Sequence, residues 1–206
     1  MTRLTWETPV NPRYEIGVDR VVIYQEPTYF GSAWSGVISI TEGLQGGERS
    51  DGYFDGLKVN DFVTSRNFQG TLRSYTYPYW LSNILGYRSI KTGVLLTRQK
   101  RSTFRMTYRT KIGDVGHKIH LVWGCTLVPK VRSYNTIADA PDPSIFEWTI
   151  NAVPYSESNA WKPTAHMWFD TTKLTANQLA IVEDALYGDA DSGPFLGKPS
   201  QIAALI

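Results

Sequence analysis

Four stretches of this chain alternate between two sets of residues, and that alternation limits the fold more than any other feature. Phe104, Met106 and Tyr108 are interleaved with Arg105, Thr107 and Arg109. Ile119, Leu121 and Trp123 are interleaved with His120, Val122 and Gly124. Phe146, Trp148 and Ile150 are interleaved with Glu147 and Thr149, and Ala165, Met167 and Phe169 with His166, Trp168 and Asp170. A period of two sends neighbours to opposite faces of a strand, so each stretch offers one face to a core. The opposite faces are partly aromatic or basic, which implies a second contact surface.

Further strands are signalled less cleanly. Arg13–Gln25 carries Val18, Val21, Val22, Ile23 and Tyr24 and stops before Pro27. Ala33–Ile40 alternates in part, Tyr53–Val63 is interrupted by Gly56, and Phe68–Tyr77 ends at Pro78. Thr41–Gly52 holds Gly43, Gly46, Gly47 and Gly52, and reads as a flexible loop or the tip of a long hairpin. Tyr79–Lys100 scatters apolar residues among glycines and receives no assignment.

One helix is well signed, near 175–187. Thr175 and Gln178 have the spacing of a capping box, and Leu174 can staple onto Leu179. Leu179, Val182 and Leu186 form its apolar stripe, and Gly188 supplies the stop. The sum is a mainly β protein: a β-sandwich or barrel of about eight strands with one flanking α-helix, a long loop or hairpin, and extended terminal arms. The expected division is an N-terminal arm over 1–12, one domain over 13–192, and a C-terminal arm over 193–206. The apolar end of that last arm should pack on its own core or on a neighbour.

Chemistry is sparse. The chain has 206 residues, 42% hydrophobic and 19% charged, enough for a core without staples. The single cysteine, Cys125, excludes internal disulfides and multi-cysteine zinc sites, and reads as a small buried apolar residue. His117 and His120 are three apart on a strand and point to opposite faces, and His166 stands alone, so all three read as structural. No nucleophile elbow, phosphate loop, paired metal-site histidines or calcium loop occurs. Asp51, Asp55 and Asp61 have the wrong spacing for calcium and suit hairpin turns; Glu183 and Asp184 read as solvated charges. No catalytic, cofactor-binding or metal-binding residue is assigned, and the chain is expected not to be an enzyme. No apolar run reaches membrane-spanning length, and Met1–Glu7 lacks a signal-peptide core, so the product is expected to be made in a cytosol without a membrane anchor.

Charge is unevenly spread. Residues 1–133 hold 18 Lys/Arg and 10 Asp/Glu, and residues 134–206 hold 3 and 9, so the parts carry +8 and −6. Tyr87–Ile112 contains Arg88, Lys91, Arg98, Lys100, Arg101, Arg105, Arg109 and Lys111 and no acid. This block reads as a solvated face, a nucleic-acid footprint, or the basic half of a head-to-tail contact between copies. The presence of the opposite charge in the same chain favours the last of these over a nucleic-acid footprint.

Several segments, taken in order, resemble the major tail protein (tail tube protein) family of long-tailed, siphovirus-type bacteriophages. They are Gly31–Val37, Tyr53–Lys58, Phe68–Pro78, Phe104–Gly113, His117–Gly124, Phe146–Ile150, Lys162–His166 and Glu183–Gly188. The resemblance implies a virion structural protein whose β-sandwich or barrel subunits form hexameric rings. The rings would stack into a hollow tail tube that delivers DNA into the host. Implied partners are the protein itself, a tape-measure protein, and tail terminator and tail-tip proteins, with DNA passing through without specific binding. The implied location is the virion tail, after assembly in the host cytoplasm. The competing readings are a minor tail or tail-tip protein, or a carbohydrate-binding adhesin module using Trp34, Trp80 or Trp168 as stacking platforms.

Overall fold

The computed structural model describes residues 14–45, 49–54, 57–63, 67–134, 136, 143–157 and 162–206. The chain begins with β1 (Glu15–Gln25), β2 (Gly31–Ala33), β3 (Val37–Gln45), β4 (Arg49–Phe54), β5 (Leu57–Val63) and β6 (Asn67–Ser74). A short helix α1 (Leu81–Ile84) leads to β7 (Arg88–Lys91) and β8 (Val94–Leu96). Then come β9 (Phe104–Ile112), β10 (Gly116–Pro129), β11 (Phe146–Ala152) and β12 (His166–Asp170). The helices α2 (Ala176–Tyr187) and α3 (Pro199–Ala203) complete the described fold.

The main sheet is antiparallel with the order β2-β1-β9-β10-β11-β6-β3, and β12 branches from β10. Its two end strands are successive parts of one stretch of chain, parted only by Trp34-Ser35-Gly36, so the sheet curls round into a barrel-like wall whose ends meet at that corner. Hydrogen bonds cross at the break: Trp34 N donates to Val21 O at 2.9 Å, and Tyr75 N donates to Gly36 O at 3.0 Å.

Strand β10 serves two neighbours on one side. Lys118–Val122 pairs with β12, and Cys125–Pro129 pairs with β11. The change falls at Gly124, whose φ is +61° and where a Cβ would lie 2.6 Å from Val153 O. A bulge between Val122 and Cys125 accompanies it and shifts which side chains face inward, from Val122 to Cys125 and Leu127.

Two cores lie on the two sides of the barrel wall. Inside are Ile23, Phe68, Leu72, Phe104, Met106, Trp148 and Ile150, with Leu81, Ile84 and Leu85 of the α1 region packed among them. Trp34 packs edge-on against Trp148 and Trp80, with centroids at 5.2 and 6.3 Å. Outside, Val22, Tyr24, Ile119, Leu121, Trp123 and Phe169 are covered by Val182 and Leu186 of α2 and by Leu196 and Ile202 near the C-terminus. The alternation in β1 and β10 therefore separates two buried faces, where the sequence reading expected one buried and one outward.

Three expectations change in detail. The β3–β6 ladder runs to Gln45↔Asn67, and a separate two-stranded sheet pairs β4 with β5 from Arg49↔Val63 to Phe54↔Leu57. Of the expected loop or hairpin tip Thr41–Gly52, Thr41–Gln45 are paired in β3 and Arg49–Gly52 in β4, with Gly52 at a bulge; residues 46–48 lie outside the described residues. The unassigned block 79–100 resolves into α1 and the β7–β8 hairpin. The segment 193–206 does not extend away but lies on the barrel: Gly31 N donates to Pro194 O, Phe195 N to Ala185 O, and Trp123 Nε1 to Gly197 O. The expected N-terminal arm, 1–12, lies outside the described residues.

The α2 helix forms as its caps dictate. Thr175 Oγ1 accepts from Gln178 N, Gln178 Oε1 accepts from Thr175 N, and Gly188 follows at φ +84°. Leu174 and Leu179 both pack into the outer core.

Candidate functional site

The basic block of the sequence divides into two groups. Arg105, Arg109 and Lys111, on β9, are committed within the molecule. Arg105 is buried; its Nη1 donates to Leu196 O at 2.6 Å and its guanidinium lies 3.6 Å from the Tyr29 ring centre. Arg109 grips Asp19 in a two-pronged pair at 2.7 and 2.8 Å, which holds the Asp19 carboxyl below the usual carboxylate range. Lys111 reaches Asp114 at 2.9 Å.

The other group is Arg88, Lys91, Arg98, Lys100 and Arg101. All five are exposed, and none pairs with a carboxylate among the described residues. Arg88 and Lys91 lie on the β7–β8 hairpin, a two-stranded element outside the barrel sheet. Every residue of both strands is exposed, including Ile90, Val94, Leu95 and Leu96 at 37 to 54%. A lone two-stranded hairpin gains little stability in water, and an apolar one gains less unless something covers it.

The opposite charge collects at the far end of α2. Asp184 in its last turn, and Asp189 and Asp191 beyond it, are exposed and form no ion pair with a described cation. No basic residue stands in that last turn, so the negative end of the helix dipole meets further negative charge. Asp189 has a local role, accepting from Asp191 N and Ser192 N at 2.8 and 2.6 Å, which lowers its pKa. Glu183, read from sequence as solvated, instead pairs with Arg20 at 3.1 Å.

A polar cluster occupies the barrel interior further along β3, away from Trp34 and α1. Glu42 of β3, Tyr108 of β9, His120 of β10 and His166 of β12 meet there. Tyr108 OH donates to Glu42 Oε1 at 2.7 Å, and its ring stacks on His120 with centroids 4.5 Å apart. His120 Nδ1 lies 3.1 Å from His166 Nε2 and 3.3 Å from Glu42 Oε1. Burial pushes the His120 pKa down to about 4, and lowers that of His166, so both rings are neutral at pH 7. His166 is thus not isolated, as the sequence alone suggested; strand pairing of β10 with β12 brings it to His120. His117, on the opposite face as expected, stands near Asp19 and Arg109 instead.

The remaining candidates fall into place around these features. Cys125 is fully buried, and burial pushes its thiol up, away from the reactive thiolate. Trp34 is buried and Trp80 half-buried, both within the inner core, while Trp168 is 51% exposed with Lys118 Nζ 4.7 Å from its ring centre. The backbones of Asp51 and Asp61 are register partners across β4–β5, and Asp55 lies outside the described residues. No described helix is long and apolar enough to cross a membrane.

No protein-family model matches the chain, and no curated protein matches it in sequence. Solved structures offer distant likenesses. One is a chain of the sheath–tube complex of an extracellular contractile injection system, PVC, in the extended state. It is 15% identical, with a TM-score of 0.33 over 72% of this chain and 88% of that one. Another comes from the sheath/tube terminator of the same system in the extended state. It is 15% identical, with a TM-score of 0.35 over 76% of this chain and 98% of that one. Likeness at this level leaves the function to be argued from the chain itself.

Proposed function

We propose that this protein is a non-enzymatic structural subunit of a phage-type tail tube, which associates with copies of itself into rings that stack around a channel. The observation that carries this reading is the β7–β8 hairpin: exposed, apolar and basic, and outside the barrel sheet. Its occupant is a second copy of the chain, met at the acidic end of α2. Charge complementarity supports that choice, because the cations around the hairpin and the carboxylates at Asp184, Asp189 and Asp191 are unpaired within the described residues. A contact between two different surfaces of identical copies repeats head to tail, and closes into a ring when the rotation permits.

The family resemblance supports the same direction. Its segments fall on β2, β4 and β5, β6, β9, β10, β11, the start of β12 and the end of α2. Hexameric rings, a tape-measure protein inside, terminator and tip proteins at the ends, and passage of DNA follow from that resemblance as further parts of the proposal. A channel for DNA should not be lined by cations that hold phosphates, so the hairpin cations belong between subunits or outside.

The test is assembly. Sedimentation and negative-stain electron microscopy of the purified protein are expected to show rings or tubes with a central channel. The double variant Arg88→Glu/Lys91→Glu should remain monomeric, as should Asp184→Lys/Asp191→Lys, and mixing the two should restore association. A monomer at every accessible concentration refutes the reading. A few copies per tail particle, rather than hundreds, would assign the chain to the tip.

A further inference from the structure

We propose that Glu42, His120 and His166 bind one divalent first-row transition metal ion, zinc foremost, inside the mouth of the barrel. One donor atom each of Glu42, His120 and His166 lies within 4.8 Å of the other two, in the sole such group among the described residues. Two of the three edges measure 3.1 and 3.3 Å. Ligands at about 2.0–2.1 Å from a tetrahedral ion stand about 3.3 Å apart, and about 2.9 Å apart in octahedral geometry. The third edge is within 4.8 Å, and the two imidazoles lie edge to edge with centroids 5.3 Å apart and planes 5° from parallel, so a turn of one ring is needed to bring all three lone pairs onto a common ion.

Surrounding groups support the ligands. His120 Nε2 lies 3.1 Å from Thr110 Oγ1, a partner that can hold the ring proton on Nε2 and leave the Nδ1 lone pair for the metal. Tyr108 OH holds the Glu42 carboxylate from the side at 2.7 Å. Two imidazoles and one carboxylate suit zinc and its neighbours, whereas calcium and magnesium require oxygen donors. Three protein ligands leave a fourth position for water, and the Glu42 side chain is 40% exposed, so the ion has a way in.

The site also has a structural use. Among the described residues, strand β12 pairs only with β10, and no ladder joins it to β3 or β6. An ion held by Glu42 of β3 and His166 of β12 would fasten that gap. The inference stands apart from the assembly proposal, since the three ligands come from one chain and none lies on β7–β8 or at the end of α2.

The experiment uses the full chain stripped of metal by chelator, then titrated with zinc, and separately with cobalt(II). Expected results are one zinc per chain by equilibrium dialysis and the visible absorption of a cobalt ion bound by nitrogen and oxygen. Tm should rise by roughly 5–10 °C when free zinc is a hundredfold above its Kd. Glu42→Gln and His166→Ala should each weaken binding by about tenfold or more, while His117→Ala should not. If His166→Ala fails to fold, the exposed Glu42→Gln decides. Absence of stoichiometric binding, or binding by Glu42→Gln equal to that of the wild type, would overturn the site.

Discussion

Tyr24 joins the barrel to its covering helix. Fully buried on β1, it donates to Leu186 O at 2.6 Å and lies 3.3 Å from Thr107 Oγ1. Tyr24→Phe keeps the ring and leaves the Leu186 carbonyl without that donor, so the expected loss is about 2 kcal/mol, or roughly 4–8 °C in Tm, measured by thermal unfolding. The Asp19–Arg109 pair sets a pH dependence with a defined sign. Because Arg109 lowers the folded-state pKa of Asp19, the pair's contribution is complete above the ordinary carboxylate value and is lost as pH falls through the folded one. The stability gap between wild type and Asp19→Asn should therefore narrow on acidification, and raised salt should shrink it too, since Asp19 is half exposed. At this scale the sequence is least informative. Tyr24 signals a strand, but nothing near it names Leu186, and His166 meets His120 only because of a strand register that spacing along the chain does not reveal.

Among the elements, the C-terminal segment and the β7–β8 hairpin make opposite predictions. Leu196 is fully buried in the outer core, and Leu196→Ala should cost about 2–5 kcal/mol in folding stability, read from denaturant unfolding. Replacing 88–96 by a short glycine-serine link should leave the Tm nearly unchanged and abolish self-association in sedimentation. The α2 helix was legible because capping box, staple, stripe and terminal glycine all agree within a dozen residues. Strands β9 to β12 were legible for the same local reason, each carrying its own alternation. Tyr79–Lys100 was not: α1 is one turn, too short to show a period, and β7–β8 buries neither face. The glycines of Thr41–Gly52 read as a loop, yet Gly43 and Gly52 sit in paired strands, Gly52 beside a register shift.

For the whole molecule, barrel closure is the step that local patterns cannot carry. It depends on one stretch, 31–45, pairing with β1 at one end and β6 at the other. The curled sheet encloses the inner core, and α2 with the C-terminal segment covers the outer one. Among the surfaces left outward are the apolar and basic hairpin and the acidic end of α2. The central claim is that these two surfaces meet in neighbouring copies. It is tested most directly by cryo-electron microscopy of the assembled protein at a resolution that traces the chain. The account predicts an annulus in which β7–β8 of each copy rests on the Asp184–Asp191 region of the next. Particles that remain single, or rings in which the hairpin points freely into solvent or lines the channel, would contradict it.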